Sequence, residues 1–358
     1  VKNLLILKTA ALGDVLRTTS ILPGLHERYP GASVTWVTAP GAAPLVRTHP
    51  LVRTVVELEA DSEESVRATI ARLAPTLWAR VISLDDETGV ARVATEVTSR
   101  RLSGAYLRPD GALAYTPDTA PWFDMGLLSV HGKALADMRK IQNRQSHPEI
   151  HADMLGVRMG KPALHLTPEA QEFAQDFAER HRLDPRRPVI GLNTGAGGRW
   201  ASKQLDVERT VAVARRVHDA RDGRALFLVL GGPAETERNE QILAGLVRAE
   251  LRHCDAGTGN ALLEFAALVG LCDALLSSDS LALHLAVALG VRVVAFFAPT
   301  SAAEIELYGR GGKVVSTSLD ACSYRRDADT STLTPERIAA ALVEQVVEAE
   351  RERSHRSS

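Results

Sequence analysis

Ser277-Ser278-Asp279-Ser280-Leu281-Ala282-Leu283-His284-Leu285-Ala286-Val287-Ala288 sits between two apolar runs. Residues 274–276 ahead of it read as a strand that empties into the Ser/Asp turn. After it, Val291-Arg292-Val293-Val294-Ala295-Phe296-Phe297 reads as a second strand, ending in Ala298-Pro299-Thr300. The intervening run, small-residued and carrying one His, reads as a helix. Strand, turn, helix and strand in that order form the unit from which parallel sheets are built. The turn aims free backbone N–H groups and the positive end of a helix dipole at one spot, a ready site for phosphate.

The same rhythm extends outward in both directions. In the first half, residues 4–7, 34–37, 52–58 and 80–84 read as strands rich in Val and Ile. Residues 14–29, 43–49, 62–73 and 89–99 between them carry apolar side chains at helical spacing. The stretch 101–124, with Pro109, Pro117 and Pro121, loses the rhythm and reads as a looped excursion with short strands. Helices are expected at 134–144 and 148–156, then an acid- and base-rich one at 168–180. Strands at 189–193, 226–230 and 251–254 alternate with helices at 207–220, 235–247 and 261–271. Two α/β halves of doubly wound parallel sheet follow, with a ligand cleft expected between them. The expected division is 1–165, a linker at 166–187, a second domain at 188–334, a helix at 335–350 packing back across the cleft, and a frayed tail at 351–358. Thr334-Pro335-Glu336 marks the start of that helix.

Length and composition narrow the function. A chain of 358 residues exceeds what one core normally supports. A formal charge of −2 and 4% aromatic residues argue against a nucleic-acid binder, which needs basic excess and stacking platforms. Cys254, Cys272 and Cys322 form no closely spaced pair, so neither a zinc site nor a disulfide framework is expected. A cytoplasmic location is expected, with at most peripheral contact at the inner face of a membrane. The apolar run 4–7 is too short for a secretory signal core, and the longest apolar region, 262–297, is interrupted by Asp273, Asp279 and Arg292.

Four segments could carry chemistry. In Lys8-Thr9-Ala10-Ala11-Leu12-Gly13-Asp14-Val15, Gly13 permits a close backbone approach and Asp14 sits at a helix start, where it could simply cap. One glycine cannot cradle a pyrophosphate, so no dinucleotide site is expected there. Asn193-Thr194-Gly195-Ala196-Gly197-Gly198-Arg199-Trp200-Ala201-Ser202-Lys203-Gln204 puts three glycines and two cations after a strand. Either it approaches an anionic ligand or it is a flexible loop with solvated cations. Gly231-Gly232-Pro233-Ala234-Glu235 is explained as a tight turn with an acid at a helix N-terminus. The fourth is the opening turn, where a lone His284 in an apolar helix reads, on its own, as a core residue. Asp85 and Asp86 end a strand at the ligand edge, where they could read acceptor hydroxyls or stand solvated. His147 and His151 stand four apart without a third ligand, and no metal is assigned to them. Arg139, Lys140 and Arg144 form a basic helical face toward an anionic acceptor or toward water. No Asp-x-Asp arrangement stands out beside the expected phosphates.

Taken together, Leu7-Lys8-Thr9 leading to Gly13-Asp14-Val15-Leu16, Lys203, and Asp279 through His284 followed by Pro299-Thr300 resemble glycosyltransferase family 9. These are the ADP-heptose:lipopolysaccharide heptosyltransferases. The chain departs from the family pattern where Leu281 and Ala298 replace glycines. The resemblance implies an α/β fold of GT-B architecture, two facing Rossmann-like domains, with the acceptor on the first and the nucleotide sugar on the second. It implies inverting transfer with Asp14 as general base beside Gly13, and Lys203 neutralising the departing diphosphate. Thr194 and the weaker candidate Arg199 would contact phosphate, Glu235 the ribose, and Asn260 the adenine edge. Asp279, Ser280, Leu281, Ala282 and His284 would line the donor. No cofactor beyond the nucleotide-sugar co-substrate, an ADP-sugar, is implied; the acceptor is a glycan, glycolipid or natural product. Two other readings stay open: a nucleotide-sugar epimerase or hydrolase of the same fold, and a non-catalytic sugar-nucleotide binder.

Overall fold

The computed structural model describes residues 2–197 and 200–356. The chain divides into two compact units, one running to His165 and including Ala303–Glu306, the other Leu166–Ala302 together with the chain from Leu307 onward.

In the first unit β1 (Asn3–Leu7), β2 (Ser33–Thr38), β3 (Thr54–Glu57), β4 (Arg80–Ser83), β5 (Leu102–Leu107) and β6 (Leu113–Tyr115) form one sheet in the order β3-β2-β1-β4-β5-β6. All neighbours are parallel except β5 and β6. Period-two alternation divides β1 between two cores. Leu4 and Ile6 join Trp36, Ile82 and the helix His147–Leu155 on one face. Leu5 and Leu7 join Val37, Val81 and the helices Glu63–Leu73 and Thr88–Glu96 on the other. Both faces being covered explains why these strands read as unbroken apolar runs.

The second unit repeats the plan with β7 (Val189–Asn193), β8 (Leu226–Val229), β9 (His253–Asp255), β10 (Ala274–Ser278), β11 (Arg292–Phe297) and β12 (Gly311–Val315). Their order is β12-β11-β10-β7-β8-β9, parallel throughout. In each unit the chain moves outward from its first strand to its third, then returns to that first strand's other side. The strand order therefore reverses between β1 and β4, and again between β7 and β10. Loops leaving such a pair diverge and open a crevice at the carboxyl ends of the strands.

Several elements differ from the sequence expectation. The single helix expected at 14–29 is broken into Leu12–Thr18, a 3₁₀ turn Thr19–Ile21 and Leu22–Arg28. Pro23 lies in the first turn of the last piece, the place where its missing N–H is tolerated. Within the expected loop 101–124, β5 is a full strand beside β4. Its Gly104 has φ +120°, and a Cβ there would collide with the Ser83 carbonyl. The helix Pro168–Arg180, expected in the linker, packs Ala170 and Ala174 against Ala267 of the second unit. The C-terminal helix, Pro335–Arg356, places Ile338, Ala339, Leu342 and Val346 in the second unit's own core with Val294 and Phe296. It continues past 351, where a frayed tail is expected: Glu352 bonds Arg292 and Arg310, and Arg353 bonds the Pro185 carbonyl.

Candidate functional site

Both crevices are bridged by a lysine from the loop after one strand and an aspartate from the loop after the other. In the first unit Lys8, following β1, pairs with Asp85, following β4, and the Lys8 and Asp85 side chains are only 7% and 8% exposed. The backbone N–H and hydroxyl of Thr9 also donate to Asp85. Asp85, expected to read acceptor hydroxyls, is therefore committed to holding the loop after β1. Asp86 beside it is half-buried. Glu87, the third acid of the same run at the strand end, accepts from the Thr9 hydroxyl at 3.2 Å. Burial, reinforced by the Asp85 charge, pushes its carboxyl above the usual range.

Asp14 lies in the first turn of Leu12–Thr18, with Gly13 the helix's second residue, and the N-cap Ala11 supplies no side-chain cap. The Arg17 guanidinium lies 2.8 Å from the Asp14 carboxylate. Helix end and guanidinium both favour negative charge at this place. Beneath them, His151 packs its ring 3.7 Å from that of His147 and edge-on to Trp122 at 5.0 Å. His151 is completely buried, neither ring nitrogen has a hydrogen-bond partner, and burial with the charges of Arg17 and Lys8 holds its pKa well below the ordinary 6.5. His49, packed edge-on to His165, is lowered to about 4, mainly by burial.

Both rings are neutral when folded and gain a proton on unfolding, so the unfolded chain binds more protons below pH 6.5. Stability must then fall as pH drops through that range. His49, held at about 4, contributes about 2 kcal/mol of this loss between pH 7.5 and 5, and His151 adds to it in the same direction. In urea unfolding at the two pH values, the double variant His49→Gln, His151→Leu is expected to lose clearly less stability than the native chain; equal losses would refute the assignment.

In the second unit the crevice lies between β7 and β10. Lys203, on the 3₁₀ turn Ala201–Lys203, bonds the Asp279 carboxylate at 2.9 Å and its carbonyl at 3.2 Å; the Lys203 and Asp279 side chains are 21% and 19% exposed. Asn193 donates to the Ser280 hydroxyl at 3.2 Å, and Ser278 donates to the Gly195 carbonyl at 2.6 Å. Ser280 is the N-cap of the nine-residue helix Leu281–Leu289, in extended conformation with no side-chain capping bond. The first N–H groups of that helix, those of Leu281 and Ala282 among them, thus lack side-chain caps beside Lys203. Leu281 takes ordinary helical backbone, so no positive φ calls for a glycine there. His284 stands half-buried in the next turn.

The remaining expected contacts are placed less simply. Thr194 is buried, and its hydroxyl accepts from Arg238 at 2.7 Å and from Thr210 at 3.1 Å. Glu235 is buried with one oxygen on the Gly197 N–H at 2.6 Å and the other on Gly232 at 2.9 Å. It ties two loops together, and a Cβ at Gly195 would run into its side chain. The Asn260 amide donates to the carbonyls of Ala256 and Gly257, bracing its own turn. Arg199 lies outside the described residues.

Sequence reasoning missed two supports of this site. Arg238 binds Thr194 and the Leu205 carbonyl, closing the base of the Lys203 loop. The segment 316–333 anchors the same loop from the other side, since Ser202 donates to the carbonyls of Arg325 and Arg326. That segment also contains the spacing overlooked in the sequence, Asp327-Ala328-Asp329. Asp327 pairs with Arg325 and Asp329 closes a turn on Ser331, and among the described residues no three His, Cys, Asp or Glu side chains converge as a metal-binding group.

Two Rossmann-like units, each with a switch-point crevice, and in the second a helix start with Lys203 beside it, form an α/β architecture of the GT-B class. The glycosyltransferase family 9 (heptosyltransferase) model matches residues 139–333, more than half of the chain, and the chain belongs to that family. Its fold is similar to the family 9 glycosyl transferase of Veillonella parvula, with TM-score 0.77, 20% identity and 97% and 98% of the two chains covered. It is also similar to E. coli ADP-heptose LPS heptosyltransferase II (TM-score 0.67, 18% identity, 98% and 100% covered). A third similar structure is E. coli heptosyltransferase WaaC with ADP (TM-score 0.60, 17% identity, 97% and 99% covered). No curated protein sequence matches the chain significantly.

Proposed function

We propose that this chain transfers a heptose from an ADP-heptose donor, with inversion, to a hydroxyl of a glycan, glycolipid or natural-product acceptor. The observation that carries the reading is the uncapped helix end at Ser280 with Lys203 beside it. Backbone N–H groups and an ammonium converge where a diphosphate would lie. In the proposed step the acceptor oxygen attacks the anomeric carbon as the bond from that carbon to the diphosphate breaks. The acceptor proton passes to Asp14. ADP departs with the electron pair, its charge met by Lys203 and the helix end. The chain acts on the cytoplasmic side, and the nucleotide sugar is a co-substrate rather than a cofactor.

Thermal-shift titration with ADP, UDP, GDP and dTDP tests the donor. ADP is expected to stabilise selectively, and Lys203→Ala to weaken ADP roughly 30-fold, the worth of one charge-assisted hydrogen bond of about 2 kcal/mol. Preference for another base would replace the donor. No shift with any nucleotide would remove the transferase reading.

A further inference from the structure

Four of the eight large hydrophobic side chains exposed among the described residues fall between residues 127 and 141. Leu127 is 88% exposed, Val130 76%, Met138 45% and Ile141 42%. The helix Lys133–Gln142 inverts the usual amphipathic arrangement: within it only Ala136 is fully buried. Ala134, Met138 and Ile141, spaced i, i+4 and i+7, make an outward apolar stripe. Lys133, Asp137 and Lys140 run alongside at the same spacing, and Arg144 follows just past the helix end, not on the helical face the sequence suggests. Residues 127–145 carry four cations, Lys133, Arg139, Lys140 and Arg144, against the single anion Asp137, in a chain of formal charge −2.

The turn before the helix is held in place. Asp124 accepts from Tyr115 at 2.5 Å, pairs with Arg139 and lies 3.3 Å from His131. Tyr115 in turn accepts from the Val130 N–H at 3.2 Å. Leu127 and Val130 therefore project from a braced turn. Arg144 bonds only the carbonyls of Ile141 and Asn143 among its described partners, leaving its charge without an acidic side chain.

We propose that the turn at 127–131 and the helix Lys133–Gln142 dock on an anionic lipid surface. Leu127 and Val130 enter the acyl boundary, Met138 and Ile141 lie along it, and Lys140 and Arg144 meet headgroup phosphates. Apolar side chains that protrude singly beside cations need no shape-matched groove, and a bilayer offers none. Two-fold pairing with a second copy would set the same cations against each other. No helix among the described residues is long and apolar enough to cross a membrane, so the contact is made from the surface. This inference is independent of the sugar-transfer chemistry.

Sedimentation of the full chain with phosphatidylcholine vesicles, with and without phosphatidylglycerol, tests it. Binding is expected only with phosphatidylglycerol and is expected to weaken with salt. Lys140→Gln with Arg144→Gln should lower partitioning about 30-fold, at about 1 kcal/mol for each charge. Leu127→Asn with Val130→Asn should lower it at least about tenfold. Leu127, Val130 and Arg144 are exposed and Lys140 half-buried at the surface, and thermal melts of both variants should match the native chain. Equal binding to both vesicle types, no binding to either, or binding that both variants retain would overturn the proposal. So would a dimer in light scattering that Leu127→Asn with Val130→Asn dissociates, or retention on an acidic polypeptide without retention on vesicles.

Discussion

Asp14→Asn is expected to lower turnover about a thousandfold, roughly 4 kcal/mol of barrier, while the melting temperature holds. The substitution is isosteric, and asparagine can still offer Arg17 an oxygen at the place where the carboxylate lies 2.8 Å away. What it loses is the ability to accept a proton from the attacking hydroxyl. Loss of a base reduces kcat more than it raises KM, and this separates it from loss of a mere structural cap. A cap would instead show as lower stability of about 1 kcal/mol with turnover retained. Single-turnover assays with ADP-heptose decide between them, and a rate within about fivefold of native would remove Asp14 from the proposed mechanism.

The second large effect concerns folding. Asp85→Ala leaves the Lys8 ammonium buried with its carboxylate partner gone, and Thr9 without the acceptor for its N–H. Breaking a buried ion pair on one side costs about 3–5 kcal/mol. The expected result is a loss of that size in urea unfolding at pH 7.5. Replacing both partners, Lys8→Met with Asp85→Leu, should recover most of it, because no charge then remains buried. An Asp85→Ala variant as stable as the native chain would show that water reaches Lys8, contrary to its 7% exposure.

The parts of the fold readable in the sequence are those where one physical rule acts alone. β1, β2 and β4 are buried on both faces and read as apolar runs, and the turn before Leu281–Leu289 joins two such strands. The rest depends on contacts that sequence spacing does not encode. β5 hides because Gly104 must let the chain pass Ser83, and glycine signals a loop in isolation. β12 begins with two glycines, the first for a related reason: a Cβ at Gly311 would strike the Val293 carbonyl. The C-terminal helix continues to Arg356 through charged residues whose partners, Arg292 and Arg310, are far away in sequence. In the candidate site, Asp279 and Ser280 were legible because a strand end and a helix start locate them, and Lys203 was singled out only by the family resemblance. Arg238 was not, since an arginine on a charged helix reads as solvated until Thr194 is found against it.

The matching Lys–Asp pairs at the two crevices have a consequence for how variants should be interpreted. Both occupy the equivalent place in an α/β unit, after the central strands where the order reverses. One is nearly sealed from solvent, with side chains 7% and 8% exposed, and the other is more than twice as accessible, at 21% and 19%. Removing the acid of the sealed pair strands a charge that water cannot reach, so the damage falls on the folded state itself. In the accessible pair water reaches the lysine, so the same change is expected to cost the folded state less. Homologous position is therefore a poor forecaster of phenotype between the two halves, and access to water is the better one.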